Sequence, residues 1–191
     1  MLLLYAYNPN PQYHMRTQET QAALRTLIPW WHRQGQTSLW LPVGADTRYE
    51  DEIHHRWGHD DLIILEQDIV PSWGHLQNLI ACPYPLCTVA YPLNQPMAPG
   101  QFHGELVQRN YRADGSRYWI PYGTEWADLT GLGFVRIRQA WQWAHPPAWQ
   151  AGVWSDLDAR ISWWTYQQKI RWHVHYPLAR HHHFGEGYVE A

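Results

Sequence analysis

The chain contains very little lysine and few charged side chains of any kind. Among its 191 residues Lys169 is the one lysine, and Lys and Arg together number 14 against 17 Asp and Glu, for a formal net charge of -3. A general nucleic-acid coat protein needs a strongly basic surface, so this balance argues against that class. Charged residues make up 16% and hydrophobic residues 45% of the chain, which is typical of a globular protein rather than a disordered one.

Long apolar runs and cysteines are scarce as well. No apolar run approaches the roughly 20 residues that span a bilayer, and residues 1–7 are too short and lack the basic flank of a signal peptide. We therefore expect an intracellular, cytoplasmic protein without a membrane span. Cys82 and Cys87 are too few for a disulfide framework or a zinc ribbon, so we expect buried free thiols. Tryptophan, tyrosine and histidine are abundant instead, with 14, 12 and 13 residues.

Alternating strand and helix signals predict an α/β fold. Apolar runs bounded by turn residues predict strands, periodic apolar residues predict helices, and Pro29 is expected to end the first helix. Ser72 is the expected N-cap of the helix that follows it. This order indicates a single Rossmann-like domain with a mainly parallel central sheet flanked by helices. The predicted strands are 1–7, 37–43, 62–65, 86–91, 118–122 and 133–138. The predicted helices are 17–28, 73–80 and 156–170, with a further possible helix at 49–57, and residues 94–117 form a surface excursion.

Two carboxylates follow the most apolar of these strands. Glu66 and Asp68 come directly after Leu62-Ile-Ile-Leu65, and ligands of open α/β sheets bind beyond the carboxyl ends of the strands. Residues i and i+2 of an extended chain point to the same side, so both carboxylates are expected to face one site for a hard divalent cation. An ordinary acidic turn is the alternative.

Histidines gather near the C-terminus. His173 and His175 alternate along a possible strand, and His181, His182 and His183 follow Pro177. Imidazole joins carboxylates readily around a transition metal. Surface histidines, or a purification tag, are the alternatives.

Two further segments carry polar residues of interest. Asp156 and Asp158 lie at the expected start of a helix, where one carboxylate is enough to cap the helix N-terminus. The other is a possible general base toward an acceptor hydroxyl. Thr130-Gly-Leu-Gly133 is not a phosphate loop, because the rest of that motif is absent. Its glycines are expected to let the backbone pass close to a bound sugar or to make a tight turn.

The order of these motifs resembles that of glycosyltransferases of the GT-A type, especially the short enzymes encoded by bacteriophages. The resemblance runs over about residues 1–183 and rests on four segments in series: Leu-Glu-Gln-Asp-Ile at 65–69, Cys-Thr-Val-Ala-Tyr-Pro at 87–92, Gly-Leu-Gly-Phe-Val-Arg-Ile at 131–137, and His-Val-His-Tyr-Pro-Leu-Ala-Arg-His at 173–181. It implies one catalytic domain, with residues 1–92 binding a nucleotide-sugar and residues 93–191 holding the acceptor side and the metal-binding histidines. A phage origin would place the enzyme in the host cytoplasm.

The resemblance also implies roles for individual residues. Mn²⁺ or Mg²⁺ would bridge the diphosphate of a nucleotide-diphosphate sugar, with Asp68 as the main ligand, and Asp158 or Asp156 would be the catalytic base. The implied metal ligands are Asp68, Glu66, His181 as first choice, His175 and His183; the implied donor-binding residues are Tyr7, Asn8, Arg16, Asp46, Glu66 and Asp68; the acceptor or sugar contacts are Trp126, Thr130, Gly131 and Trp154.

Two other functions use the same residues. A metal-dependent hydrolase or nuclease needs the Asp and His ligands without a nucleotide pocket. A carbohydrate-binding module needs the aromatic side chains alone. The sequence leaves open the donor sugar, the oligomeric state and the acceptor, which is a glycan, a protein or a modified DNA base.

Overall fold

The computed structural model describes residues 1–10, 14–43, 48–92, 106–144 and 157–181. These residues form five helices and eleven strands. The helices are α1 (His14–Arg33), α2 (Arg48–Arg56), α3 (Trp73–Ala81), α4 (Gln139–Ala144) and α5 (Leu157–Gln167). The strands are β1 (Leu2–Tyr7), β2 (Thr37–Pro42), β3 (Leu62–Glu66), β4 (Ile69–Val70), β5 (Leu86–Val89), β6 (Arg109–Tyr111), β7 (Arg117–Trp119), β8 (Trp126–Ala127), β9 (Phe134–Ile137), β10 (Trp172–His175) and β11 (Arg180–His181).

Seven strands form one mixed sheet in the order β2-β1-β3-β9-β5-β10-β8. Strands β1, β2 and β3 are parallel to one another, as are β5 and β10, while β9 and β8 run antiparallel to their neighbours. The predicted α/β fold with a mainly parallel central sheet is confirmed. Strands from residues 1–92 and from residues 93–191 interleave in this sheet, because β9 lies between β3 and β5.

Helices cover both faces of the sheet, which gives three layers. Neighbouring residues of β1 point to opposite faces, as expected for a strand. Leu4 packs in one buried cluster with Ile53 of α2 and Ile161 of α5. Leu3 packs in the other with Leu24 of α1 and Leu76 of α3. Strand β3 is buried on both faces through Leu65, as its continuous apolar run predicts. No helix in the described residues has the length and apolar character needed to cross a membrane.

The prediction that Pro29 ends the first helix is wrong. Helix α1 continues through Pro29 to Arg33. Proline removes one helical hydrogen bond, yet the turn beyond it carries Trp31, which is fully buried and donates its indole N–H to the carbonyl of Thr37 at 2.7 Å. Tertiary packing of this tryptophan offsets the local penalty.

The prediction that Ser72 caps α3 is confirmed. The Ser72 hydroxyl accepts the backbone N–H of His75 at 3.3 Å, and the His75 Nδ1 accepts the N–H of Ser72 at 3.1 Å. This reciprocal pair satisfies two groups at the helix start and resembles the capping box, with histidine in place of glutamate. The cap fixes the start of α3 at Trp73, a few residues after the acidic turn that contains Asp68.

The second half of the chain returns to the core after the segment 93–105, which lies outside the described residues. Leu106 and Gln108 are fully buried, and the hairpin of β6 and β7 follows them. The surface excursion predicted for residues 94–117 is therefore shorter than expected, because the chain is back in the core by Leu106. Strand β7 (Arg117–Trp119) is also shorter than the strand predicted for 118–122. Strand β11 pairs not with the main sheet but with β4, antiparallel.

Candidate functional site

Three parallel strands end together at one edge of the sheet. Tyr7 lies opposite Pro42, and Ala6 lies opposite Glu66, so β1, β2 and β3 finish at the same level. The Asn8 backbone N–H donates to Oε1 of Gln67 at 2.5 Å, which ties the loop after β1 to the acidic turn after β3. Ligands of α/β proteins bind at such an edge.

Asp68 and His181 face each other at this edge. Asp68 immediately precedes β4, and the β4–β11 pair places His181 opposite Ile69. The Nε2 atom of His181 lies 3.6 Å from Oδ2 of Asp68. Their side chains are only 11% and 19% exposed, so the pair is largely shielded from water while still reachable. The structure thus brings the first-choice histidine of the sequence analysis beside the main acidic residue.

A backbone carbonyl orients the His181 ring. Its Nδ1 lies 2.7 Å from the carbonyl oxygen of Pro92, to which it donates, so Nε2 is turned towards Asp68. The ring also packs edgewise on Tyr91, with 5.3 Å between ring centroids. Burial disfavours the charged imidazole, but the adjacent Asp68 carboxylate and the Pro92 carbonyl outweigh it and raise the pKa of His181. A carbonyl on the second ring nitrogen is the usual support of a metal-ligating histidine.

Glu66 lies at the end of β3, two residues before Asp68, and its charge also acts on His181. Strand β3 ends at Glu66, and residues 67–68 form a turn, so the alternation of an extended chain stops before Asp68. Within the described ranges, no set of three ligand atoms that includes Glu66 and Asp68 lies within 4.8 Å. The expectation that both carboxylates face one ion stays a prediction, and the contact that the structure shows is the one between Asp68 and His181.

His175 belongs to a different cluster. Strand β10 pairs it with Val89, and one of its nitrogens lies within 4.8 Å of the sulfur atoms of Cys82 and Cys87. The chain then turns at Tyr176 and Pro177 before it reaches β11, which separates His175 from the Asp68 edge. The structure therefore groups His175 with the two cysteines and not with Asp68, which corrects its expected role as a ligand beside Asp68. His183 lies outside the described residues.

The two thiols of this cluster are buried and in contact. The hydrogen bond with Cys87 lowers the pKa of Cys82 to about 3. The same contact, together with burial, raises the pKa of Cys87. The expectation of buried free thiols is confirmed, but their histidine neighbours were not foreseen.

Thr130 is a core residue as well as a cleft residue. Its hydroxyl lies 3.0 Å from that of Thr88 and accepts the amide N–H of Gln108 at 3.1 Å, all three side chains being buried. Thr130 and Gly131 also line a small cleft of about 110 Å³ whose walls include Arg109, Arg117 and Ser162. The role in acceptor binding that is expected of Thr130 and Gly131 stays a prediction, and this cleft is where such an acceptor would contact them.

The glycines of the 131–133 turn make room for Tyr91. A Cβ atom on Gly133 would lie 2.6 Å from the Tyr91 hydroxyl and 2.8 Å from Cζ, and one on Gly131 would overlap the same hydroxyl. The Gly133 N–H donates to that hydroxyl at 3.2 Å. These glycines therefore make room for a tyrosine that supports His181, and the expectation that they pass close to a sugar or make a tight turn stays a prediction.

Helix α5 is fastened to the same turn. The Ser162 hydroxyl donates to the Thr130 carbonyl at 2.7 Å and accepts the Thr130 N–H at 3.2 Å. Residue 158 lies four positions earlier, one helical turn towards the N-terminus of α5. The side chains of Asp158 and Arg16 lie outside the described part of the structure, as do residues Asp46, Trp154 and Asp156.

Trp126 lies away from the glycine turn. Its ring packs against Tyr84 at 4.6 Å and against His173 at 5.0 Å, measured between centroids. It thus lies beside the thiol and histidine cluster, and the expectation that it contacts an acceptor stays a prediction. Tyr7 and Asn8, in contrast, do lie at the strand edge beside Gln67.

Sequence reasoning missed three residues of the edge. Gln67 links the loops after β1 and β3, and its only signal was its place between the two acidic residues. Pro92 and Tyr91 orient His181 from the end of β5. Nothing in the pattern around Tyr91 and Pro92 pointed to a histidine so far along the chain.

Comparison with known proteins supports the fold. No family model matches the chain, and no curated protein matches it. Among solved structures, the crystal structure of A197 from STIV is similar, with a TM-score of 0.55 and 16% sequence identity. The match covers 95% of this chain and 85% of that one. At this identity the likeness shows a shared fold and carries no functional assignment.

Proposed function

We propose that the protein is a metal-dependent glycosyltransferase that moves a sugar from a nucleotide-diphosphate sugar to an acceptor hydroxyl. The observation that carries the proposal is the pairing of Asp68 with His181 at the carboxyl edge of three parallel strands. The order of motifs that resembles GT-A enzymes supports the same reading.

The donor atoms suit Mn²⁺ or Mg²⁺. Such ions bind through one or two carboxylates and complete their shell with substrate phosphates and water, and Mn²⁺ also accepts imidazole. Asp68 would supply the carboxylate, and His181 would supply Nε2, since Nδ1 is engaged by Pro92. When bound, the cation would neutralise the charge of the diphosphate leaving group. With a single lysine and scattered arginines, the metal would have to supply most of this positive charge.

The remaining edge residues fit the donor nucleotide. Tyr7 is half-buried and stacked on Tyr5, with rings 5.4 Å apart and nearly parallel. The Asn8–Gln67 hydrogen bond holds the following loop against the acidic turn. A base or ribose in this loop would lie next to a diphosphate held at Asp68, and Glu66 at the end of β3 would contact the sugar or ribose.

The acceptor is assigned to the side of α5 and the glycine turn. Asp158 would take the proton of the acceptor hydroxyl as its oxygen forms a bond to the anomeric carbon, while the bond from that carbon to the diphosphate breaks and the nucleoside diphosphate leaves. The Ser162–Thr130 hydrogen bonds fasten the middle of α5, one helical turn after Asp158, to the glycine turn. Arg109 and Arg117, in the cleft beside Thr130, offer cationic groups to a polar acceptor.

The test is a screen of nucleotide-sugars by thermal unfolding, with and without Mn²⁺. A specific donor should raise the Tm of the full chain only with the metal, by about 2–4 °C for each 1 kcal/mol of binding free energy. Asp68→Asn should abolish this shift, and Asp114→Asn, in an exposed turn far along the chain, should keep it.

The outcomes separate the competing functions. Metal-dependent nucleotide binding with release of nucleoside diphosphate in the presence of an acceptor supports the proposal. Metal binding without any nucleotide effect would overturn it in favour of a hydrolase. Sugar binding that survives Asp68→Asn would overturn it in favour of a carbohydrate-binding module.

A further inference from the structure

Three potential ligands, Cys82, Cys87 and His175, converge near helix α3, and a fourth, His173, lies beside two of them. Cys82 caps the C-terminus of α3, Cys87 lies on β5, and His173 and His175 lie on β10. In the parallel pairing of β5 with β10, His173 is opposite Cys87. Because His173 and His175 are two residues apart on a strand, both rings project to one face of the sheet.

The two distances from His173 match those between ligands of one tetrahedral ion. Both sulfur atoms and one nitrogen of His175 lie within 4.8 Å of one another. Nδ1 of His173 lies 3.6 Å from Sγ of Cys82 and 3.4 Å from Nε2 of His175. Zinc bonds of about 2.3 Å to sulfur and about 2.0–2.1 Å to nitrogen, at tetrahedral angles, place a sulfur and a nitrogen about 3.6 Å apart and two nitrogens about 3.4 Å apart.

We propose that Cys82, Cys87, His173 and His175 bind a structural zinc ion. Two thiolates and two neutral imidazoles form one of the common structural zinc sets, and two thiolates balance the charge of the ion. The site differs in kind from the Asp68 edge, where oxygen ligands suit Mn²⁺ or Mg²⁺. The proposal does not depend on the glycosyltransferase assignment.

A buried arginine positions the Cys82 ligand. Arg136 on β9 is fully buried, and its guanidinium donates to the carbonyls of Ile80 at 3.3 Å, Cys82 at 3.0 Å and Tyr84 at 2.5 Å. No carboxylate in the described residues forms an ion pair with it. Three carbonyls on one cation hold the turn between α3 and β5 rigid, and the positive charge favours thiolates nearby.

Aromatic rings shield the histidine side of the cluster. Tyr84 and Trp126 lie 4.7 Å and 5.0 Å from the His173 ring, and both sulfur atoms belong to buried residues. Exclusion of water around thiolate ligands strengthens their hold on a metal. The ion would join α3, β5 and β10, and so fix the start of the segment that leads from His175 to His181.

The experiment uses the purified full chain, stripped with a chelator and titrated with Co²⁺ and then Zn²⁺. Cobalt should give the intense near-ultraviolet absorption of thiolate-to-metal charge transfer, with visible bands of a tetrahedral site, and zinc should displace it at one ion per chain. Asp68→Asn should retain this spectrum, which keeps the site distinct from the strand edge. His32→Gln, an exposed histidine, should retain it as well.

Variants and thiol chemistry decide the outcome. His175→Gln and Cys82→Ser should lose the charge-transfer band or weaken cobalt binding at least about 10-fold. Because Cys82 is buried and its variant is at risk of misfolding, the wild-type thiols are also titrated with a disulfide reagent, and zinc should slow their reaction. A wild-type protein that shows no cobalt spectrum and no zinc protection, or that contains a Cys82–Cys87 disulfide after purification, would overturn the proposal.

Discussion

The Nε2 atom of His181 lies 3.6 Å from Oδ2 of Asp68, although the two residues are 113 positions apart in the sequence. The two-stranded pairing of β4 with β11 creates this contact, and the Pro92 carbonyl holds the imidazole in the required orientation. The candidate metal site therefore depends on a small structure outside the main sheet.

His181→Asn should remove the Mn²⁺-dependent rise in Tm because the metal loses its nitrogen ligand. Asparagine cannot place an atom where Nε2 stands while also donating to Pro92. The comparison is thermal unfolding of wild type and variant over a Mn²⁺ titration. His59→Asn, at an exposed position, is the matched control and should respond like the wild type. An unchanged Mn²⁺ response in His181→Asn would remove this histidine from the site.

Gly133→Ala should destabilise the protein by about 1–3 kcal/mol, as expected for overpacking in a rigid core. The new methyl group would lie 2.6 Å from the Tyr91 hydroxyl and 3.2 Å from Ile69 Cγ1. Gly74→Ala is the control, because it lies in α3 with nothing closer than 4.0 Å and should stabilise the helix by up to about 1 kcal/mol. Urea unfolding of both variants measures the difference, and equal effects would contradict the packing described for Tyr91.

Ser72→Ala should cost about 1 kcal/mol of unfolding free energy, since the N–H of His75 loses its acceptor at the start of α3. For a chain of this size the cost corresponds to a fall in Tm of about 2–4 °C. Ser72→Thr keeps a hydroxyl acceptor and should recover most of the loss. Differential scanning calorimetry of the two variants is the measurement, and a threonine variant as unstable as the alanine variant would argue against the cap.

His75 should make the protein less stable as the pH falls below about 6.5, the ordinary value for histidine. Burial lowers the pKa of His75 in the folded state and outweighs the Pro177 and Leu178 carbonyls. Below this pH the unfolded chain binds a proton at His75 that the folded chain does not bind. The stabilising contribution of neutral His75 is therefore complete above the pKa of the unfolded chain and is lost as the pH falls below it. The free energy of unfolding falls by at most about 1.4 kcal/mol per pH unit.

The check on His75 compares urea unfolding at pH 7.5 and pH 5.5. His75→Gln lacks the titrating group and should lose less stability over this interval than the wild type. His32→Gln, an exposed histidine, should behave like the wild type and controls for the other histidines. A wild-type slope equal to that of His75→Gln would contradict the prediction.

Local patterns predicted much of the fold. The continuous apolar run of β3 indicated a strand buried on both faces, and Ser72 indicated the start of α3; both are confirmed. Local reasoning failed where packing prevailed over propensity. Pro29 lies inside α1 because Trp31 is buried beyond it. Trp73, an apolar residue of α3, is nevertheless 40% exposed and packs edgewise on Trp30.

The sequence by itself determined the α/β class, the main strands and the acidic residue Asp68, because apolar periodicity and turn residues act over a few neighbouring positions. Only the tertiary structure decided which histidine meets which partner. His181 reaches Asp68 through β11, and His175 reaches Cys82 and Cys87 through β10, although the two histidines are close in the chain. Strand pairing between distant segments makes that choice, and it depends on the whole sheet rather than on any local pattern.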